Sequence, residues 1–204
     1  MSTATETHRS VARPPEFEDT HESIRILGFW IFLTTDVVLF GSLFSVYAVF
    51  RNRVALGPTP HQLFSMGPVL AETLILLTST FTCSLSLYAA RSNRLKGAVA
   101  WLTVTLLLGA SFVFLEIREF AGDVMAGHTW HQSAFLSGFF TLVGTHGSHV
   151  TIGIAWAIML VLQLMSGGLT VTNRRKLYTF TLYWHFLDIV WIFLFTVVYL
   201  LGIA

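Results

Sequence analysis

Residues 134–166 read AFLSGFFTLVGTHGSHVTIGIAWAIMLVLQLMS, 33 positions without one Asp, Glu, Lys or Arg. A helix rises about 1.5 Å per residue, so about 20 apolar residues cross a hydrocarbon core of about 30 Å. This run is longer than one crossing needs and must tilt or project beyond the core. Membrane β-strands alternate apolar and polar side chains over about ten residues. The continuous apolarity here reads as a transmembrane helix, and it carries two histidines, His146 and His149.

Four further runs flank it, at 26–50, 68–90, 97–119 and 177–204. The expected fold is therefore an all-α membrane protein, a five-helix transmembrane domain over residues 26–204. Residues 1–25 are polar, with Pro14, Pro15 and the acids Glu16, Glu18, Asp19 and Glu22. They read as a flexible cytoplasmic tail, with no cleavable signal peptide. Composition agrees: of 204 residues 54% are hydrophobic and 11% charged, against about 25% charged in an average globular chain. Together with a mean hydropathy of +0.68, this excludes disorder, coiled coil and nucleic-acid binding. The single cysteine, Cys83, excludes an internal disulfide and any multi-Cys metal site.

Basic residues set the orientation. Arg9, Arg13 and Arg25 precede the first run, Arg91, Arg94 and Lys96 follow the second, and Arg174, Arg175 and Lys176 follow the fourth. These nine fall on one side against two, Arg51 and Arg53, on the other, with Arg118 at a helix end. The positive-inside rule then puts the N-terminus in the cytoplasm and the C-terminus in the periplasm.

Charged side chains at mid-bilayer cost about 3 kcal/mol on insertion scales, so those inside the runs need an account. They are Asp36, Glu72, Glu116, Glu119, His146, His149, His185 and Asp188, with Arg118 nearby. Glu116 with Glu119, His146 with His149, and His185 with Asp188 are (i, i+3) pairs, which puts each pair on one helix face, aimed at a neighbour. Three chemistries use such residues. A metal site in a bundle is one, although the ferritin-like arrangement wants Glu-x-x-His units and none occurs here. Haem ligation by His146 and His185 across a bundle is another. A proton relay through Asp36, Glu72 and Glu116 is the third. The plainer reading is hydrogen-bonded pairs that glue helices lacking any hydrophobic drive to associate in lipid, with the histidines and Asp188 holding span four against span five. Gly144, Gly147 and Gly153 allow close helix approach, and Trp101, Tyr178 and Tyr199 suit the membrane interface. A phosphate loop, a nucleophile elbow and a HExxH helix are absent from the sequence.

Four stretches carry a resemblance: GTHGSHVTIG at 144–153, YWHFLDIVWIF at 183–193, GFWIFL at 28–33 and FLEIREF at 114–120. Together they resemble the signature of subunit III of the haem–copper oxidases, over nearly all of residues 26–204. The form with five spans, lacking the first two of the mitochondrial type, is a bacterial one. GPT at 57–59 and GLTVTNR at 168–174 are most similar to the cytochrome o ubiquinol oxidase branch, whose neighbours are menaquinol and cytochrome c oxidases.

The resemblance implies a bundle with a lipid cleft, in the inner membrane, docked on subunit I beside subunits II and IV. The complex would oxidise ubiquinol, reduce oxygen to water and pump protons. Haems and copper would reside in subunit I, with no cofactor but bound phospholipid in this chain. No residue of this chain would be catalytic or bind metal, and its role would be to stabilise subunit I and support proton uptake. The family's intramembrane carboxylate falls on Asp36 and its lipid-contacting histidine on His149. A basic residue that helps hold a lipid phosphate in some members falls on Gln163. Two rivals stand beside this expectation: subunit III of a bacterial cytochrome c oxidase, and an independent five-helix transporter, which would call for repeat symmetry or broken helices.

Overall fold

The computed structural model describes residues 20–50, 66–125 and 134–200. Five helices run through them: α1, Thr20–Phe50; α2, Met66–Arg91; α3, Leu95–Met125; α4, Ala134–Gly167; and α5, Val171–Leu194, which passes into a π-helical stretch Phe195–Leu200. No strand occurs among the described residues. All five helices are long and apolar enough to cross a membrane. Residues 1–19 of the expected tail lie outside the described residues, and Thr20 onward already belongs to α1.

Two tight hairpins lie at one end. After α2 the chain makes a Schellman turn: Arg94 N–H reaches back to Ala89 O (2.9 Å) and Asn93 N–H to Ala90 O (3.1 Å). Asn93 adopts φ 59°, the left-handed conformation that asparagine tolerates and this motif demands. Between α4 and α5 the same role falls to Gly168, φ 67°, whose N–H bonds Leu164 O. Thr170 then caps α5, its hydroxyl accepting from Asn173 N–H. The helix therefore starts at Val171, earlier than the apolar run at 177, because Thr170 caps its first turn and Asn173 and Arg174 satisfy carbonyls of the turn before it. Asn173 donates to the Gln163 and Gly168 carbonyls. Arg174 donates to Leu169 O, Ala90 O and Asn93 Oδ1, tying one hairpin to the other.

Helices α2, α3, α4 and α5 form a closed ring in which each touches the next and α5 returns to α2. Trp184 of α5 is its centre. Any Cβ at Gly109 on α3 or Gly153 on α4 would come within 2.8 Å of the Trp184 ring, so both glycines are slots for the indole. Its N–H donates to Ser79 on α2 (2.7 Å). One side chain thus locks four helices. Trp191 repeats the arrangement one layer on, edge-on to Phe112 at 4.7 Å and donating to Thr73 (3.1 Å). Tyr199, near the end of the last span, is 1% exposed, packed against Phe139 and Trp191. The π-helical stretch widens the turn and brings both Val198 and Tyr199 inward.

α1 leans on this ring from outside, against α4 and α5. Leu33, Asp36, Phe40 and Tyr47 are its buried positions, one stripe at helical spacing. Phe29 meets Trp156, Phe40 meets His149, and Tyr47 meets Phe135 and Gly138, so the two helices run antiparallel.

Candidate functional site

The intramembrane polar residues form three separate groups. In the seam between α1 and α4, Asp36 Oδ1 faces His149 Nε2 at 3.9 Å. The imidazole is oriented by its Nδ1–H, which donates to Thr145 O (2.8 Å), so Nε2 is the nitrogen turned toward the carboxylate. Phe40 packs on the imidazole, and the Tyr183 hydroxyl donates to the His149 carbonyl. Asp36 is 6% exposed, and its Oδ2 has no hydrogen-bond partner.

The second group lies between α2 and α5. His185 Nδ1–H donates to Thr181 O (2.7 Å), leaving Nε2 for the Ser84 hydroxyl at 3.0 Å. Asp188 interacts with Thr80 and, one turn back, with His185. Thr82 and Thr105 share a hydrogen bond (2.9 Å) that extends this polar seam to α3. His146 stands apart, fully buried between Phe112 and Trp191, with Nε2 donating to Leu187 O at 3.3 Å.

The third group is acidic and lies away from the hairpin end. Glu72 of α2 is 1% exposed and Glu116 of α3 is 6% exposed. A cavity of ≈ 420 Å³ between these helices is lined by Glu72, Arg118 and Glu119. Glu116 faces the other way, against Gly147 of α4.

The (i, i+3) pairing expectation needs correction. His146 points at α5 while His149 points at α1, and Glu116 points at α4 while Glu119 lines the cavity toward α2. At 3.6 residues per turn, positions three apart differ by about 60° around the axis. A helix flanked by several neighbours therefore sends such a pair to two of them. His185 and Asp188 do share a neighbour, but it is α2, not α4. Of His146, His149, His185 and Asp188, it is the His146 side chain that bonds from span four to span five, at Leu187 O. The glycines were misread in kind: Gly147 and Gly153 receive a carboxylate and an indole, not a helix backbone.

These residues do not fit a haem or metal ion. His185 has both ring nitrogens engaged, His149 is committed to Thr145 and Asp36, and His146 is clamped between two aromatic rings. His146 and His185 do not face a shared space. Among the described residues no three His, Cys, Asp or Glu side chains are placed to hold a metal.

At the hairpin end, a cavity of ≈ 430 Å³ lies between α1 and the start of α5. Arg175, Lys176 and Tyr178 line one wall, and Phe29, Phe32 and Trp156 the other. Lys176 Nζ donates to Gln163 Oε1 at 2.8 Å. A cation therefore stands at Gln163 although the residue itself is neutral. Sequence alone marks Lys176 as a charge and Arg174 as a charge within the 168–174 stretch, not as partners of Gln163 or of the other hairpin. The signal for their positions was the Gly168, Thr170 and Asn173 spacing, which marks a helix stop and restart.

The geometry is that of a membrane bundle with internal polar seams and an aromatic and basic cleft. A family model for cytochrome c oxidase subunit III matches residues 8–203. A quinol oxidase subunit 3 of Bacillus spizizenii is 48% identical over 197 residues, 97% of each chain. A cytochrome bo(3) ubiquinol oxidase subunit 3 of Pseudomonas aeruginosa is 48% identical over 177 residues, 87% of this chain and 85% of the relative. A cytochrome c oxidase subunit 3 of Bacillus sp. strain PS3 is 45% identical over 180 residues, 88% of this chain and 87% of the relative. With matches running nearly end to end, the chain belongs to the subunit III family of the haem–copper oxidases and is a multi-pass membrane protein.

Proposed function

We propose that this chain is the non-catalytic third subunit of a terminal quinol oxidase, a complex that oxidises ubiquinol, reduces oxygen to water and pumps protons. The observation that carries the reading is the 48% identity to quinol oxidase subunits 3 from two distant bacteria, along most of both chains. In this role the chain stabilises subunit I, which carries the haems and copper, and sits beside subunits II and IV. A cytochrome c oxidase is the second reading, favoured by the Bacillus sp. strain PS3 relative at 45% identity.

The residues support a division of labour along the bundle axis. The hairpin end faces the cytoplasm of a bacterial inner membrane, since Arg91, Arg94, Lys96, Arg174, Arg175 and Lys176 gather there. The cleft beside it takes a phospholipid: Arg175 and Lys176 suit a phosphate, and Phe29, Phe32 and Trp156 suit acyl chains. Asp36 and His149, in the same α1–α4 seam, keep a protonatable pair next to that lipid and support proton uptake. Glu72, Glu116, Glu119, His146, His185 and Asp188 hold the bundle by the contacts described above.

The test is purification of the oxidase from a strain lacking this chain. The depleted complex should keep normal haem absorption and initial quinol oxidation, yet lose activity faster during turnover. Loss of haem from the depleted complex, or a fully normal turnover lifetime, would overturn the proposal. Supplying quinol and reduced cytochrome c in parallel separates the two donor readings.

A further inference from the structure

Beyond the lipid cleft and the paired seams, one buried carboxyl packs within the bundle and still keeps an unpartnered oxygen. Glu116 lies on the floor of a groove of ≈ 270 Å³ between α3 and α4, on the outer face of the bundle. The side chain is 6% exposed, and its Oε1 has no hydrogen-bond partner. The carboxylate rests so closely on Gly147 that a Cβ there would stand 2.5 and 2.8 Å from its two oxygens. The groove continues along α4 over Gly144, Ser148 and Thr151, and its α3 side is apolar, with Val113, Phe120 and Ile117, the last 62% exposed.

We propose that this groove receives a transmembrane helix of a neighbouring subunit, which presents an Arg or Lys side chain to Glu116. The inference rests on the reading of the chain as part of an oxidase complex and adds where the contact is made. An acceptor without a partner at the depth of a membrane span has no water to satisfy it, and a lipid tail carries no donor. The occupant is cationic because what lines the groove is a carboxyl with an unpartnered oxygen, and the groove lining holds no basic residue to meet it. Arg118, close by on α3, lines the cavity between α2 and α3 instead. The floor favours a helix, since Gly144, Ser148 and Thr151 are small residues on the α4 side of the groove, on either side of the carboxylate that covers Gly147. The volume falls below the range of about 300–1,000 Å³ typical of small-molecule sites and suits a single long side chain.

The intact complex provides the test. A photo-cross-linking residue is placed at Ser148, or at Val38 on the outer face of α1 as control. Cross-linking from Ser148 should join this chain to another subunit, with the adduct mapping within one turn of an Arg or Lys. Adducts to phospholipid alone, an amine headgroup included, or adducts no more frequent than at Val38, would overturn the proposal. Independently, Ser148→Leu fills the groove at an exposed position and Glu116→Gln keeps its shape without the charge. Each should lower retention of the chain on the complex after a detergent wash by roughly three- to tenfold. Full retention of both variants would overturn the docking face. Should the unmodified chain fail to copurify with any oxidase subunit, the functional reading falls too; copurification with cross-links elsewhere removes only the docking face.

Discussion

α1 and α5 are similarly apolar, with peak hydropathies of 1.9 and 1.7, yet 17% of the α1 stretch is buried against 50% of the α5 stretch. Hydrophobicity therefore does not decide which helix is central. In lipid, apolar side chains are equally content facing tails or neighbours, and close packing and polar contacts decide position. α5 reaches α2 through Trp184, His185 and Trp191, α4 through Tyr183, and α3 through the Trp184 ring in the Gly109 slot. α1 offers Asp36 and three other buried side chains on one stripe. The difference lies in polar and aromatic reach, and it can be broken from either side.

The largest effect is expected at the centre. Trp184→Ala empties the slots at Gly109 and Gly153 and frees Ser79, and deletions of this kind cost about 3–5 kcal/mol in well-packed cores. Thermal unfolding of the purified chain in detergent should register this as the steepest fall of any single substitution. Tyr47→Ala, at the equivalent buried position of α1, should cost clearly less, because α1 can leave without opening the ring. Equal losses would mean that α1 is integral to the ring.

Arg174→Ala comes next. Its guanidinium holds the Ala90 carbonyl and Asn93 Oδ1 of the other hairpin, and hydrogen bonds to charged groups contribute about 1.5–3 kcal/mol. Amide exchange in residues 91–95 should accelerate along with the drop in melting temperature. Arg174→Lys should recover only part, since a lysine cannot present the guanidinium fork to both acceptors. Acceleration confined to α1 would place the tie elsewhere.

The five helices were legible because each is a run of apolar residues longer than a bilayer crossing, and no loop of this chain imitates that. Their ends were less so. Residues 171–176 read as loop by hydropathy although Thr170 and Asn173 cap and restart the helix there. The site residues were legible as residues, since any ionisable group in such a run stands out, but not as partners. His146 and His149 share a sequence motif and face different helices, because the offset of about 60° between them matters only once the neighbours are placed. A composition rule for span ends says nothing of which way Tyr199 turns, and it is the π-helical stretch that turns the ring into the bundle.

A smaller effect, and one of opposite sign, is expected at the α1 seam. Asp36 is buried with Oδ2 unpartnered, and its approach to His149 is long, at 3.9 Å. Replacing a buried ionisable pair by apolar side chains is often neutral or stabilising. The double variant Asp36→Leu with His149→Phe keeps ring packing against Phe40 and should melt no lower than the parent, with a gain of up to about 1 kcal/mol. Proton uptake of the complex should fall all the same. A double variant that melts lower by the same margin would mean that the pair is there for the fold.

The smallest effect belongs to the outer face of α1. Val38 is 68% exposed, and in a membrane its neighbours are lipid tails, so Val38→Ala exchanges one apolar contact with lipid for another. Its cost in the isolated chain should stay within about 0.5 kcal/mol. Leu187→Ala on α5, where the side chain is 1% exposed, should cost about 2–5 kcal/mol. Measured in the free chain and again in the assembled complex, the pair distinguishes two kinds of exposure. If Val38→Ala is silent in both, α1 faces lipid along this stripe, and its place in the bundle depends on the Asp36 seam alone. If it is silent in the free chain and costly in the complex, another subunit covers α1, and the helix bound most weakly within its own chain is held by its neighbours.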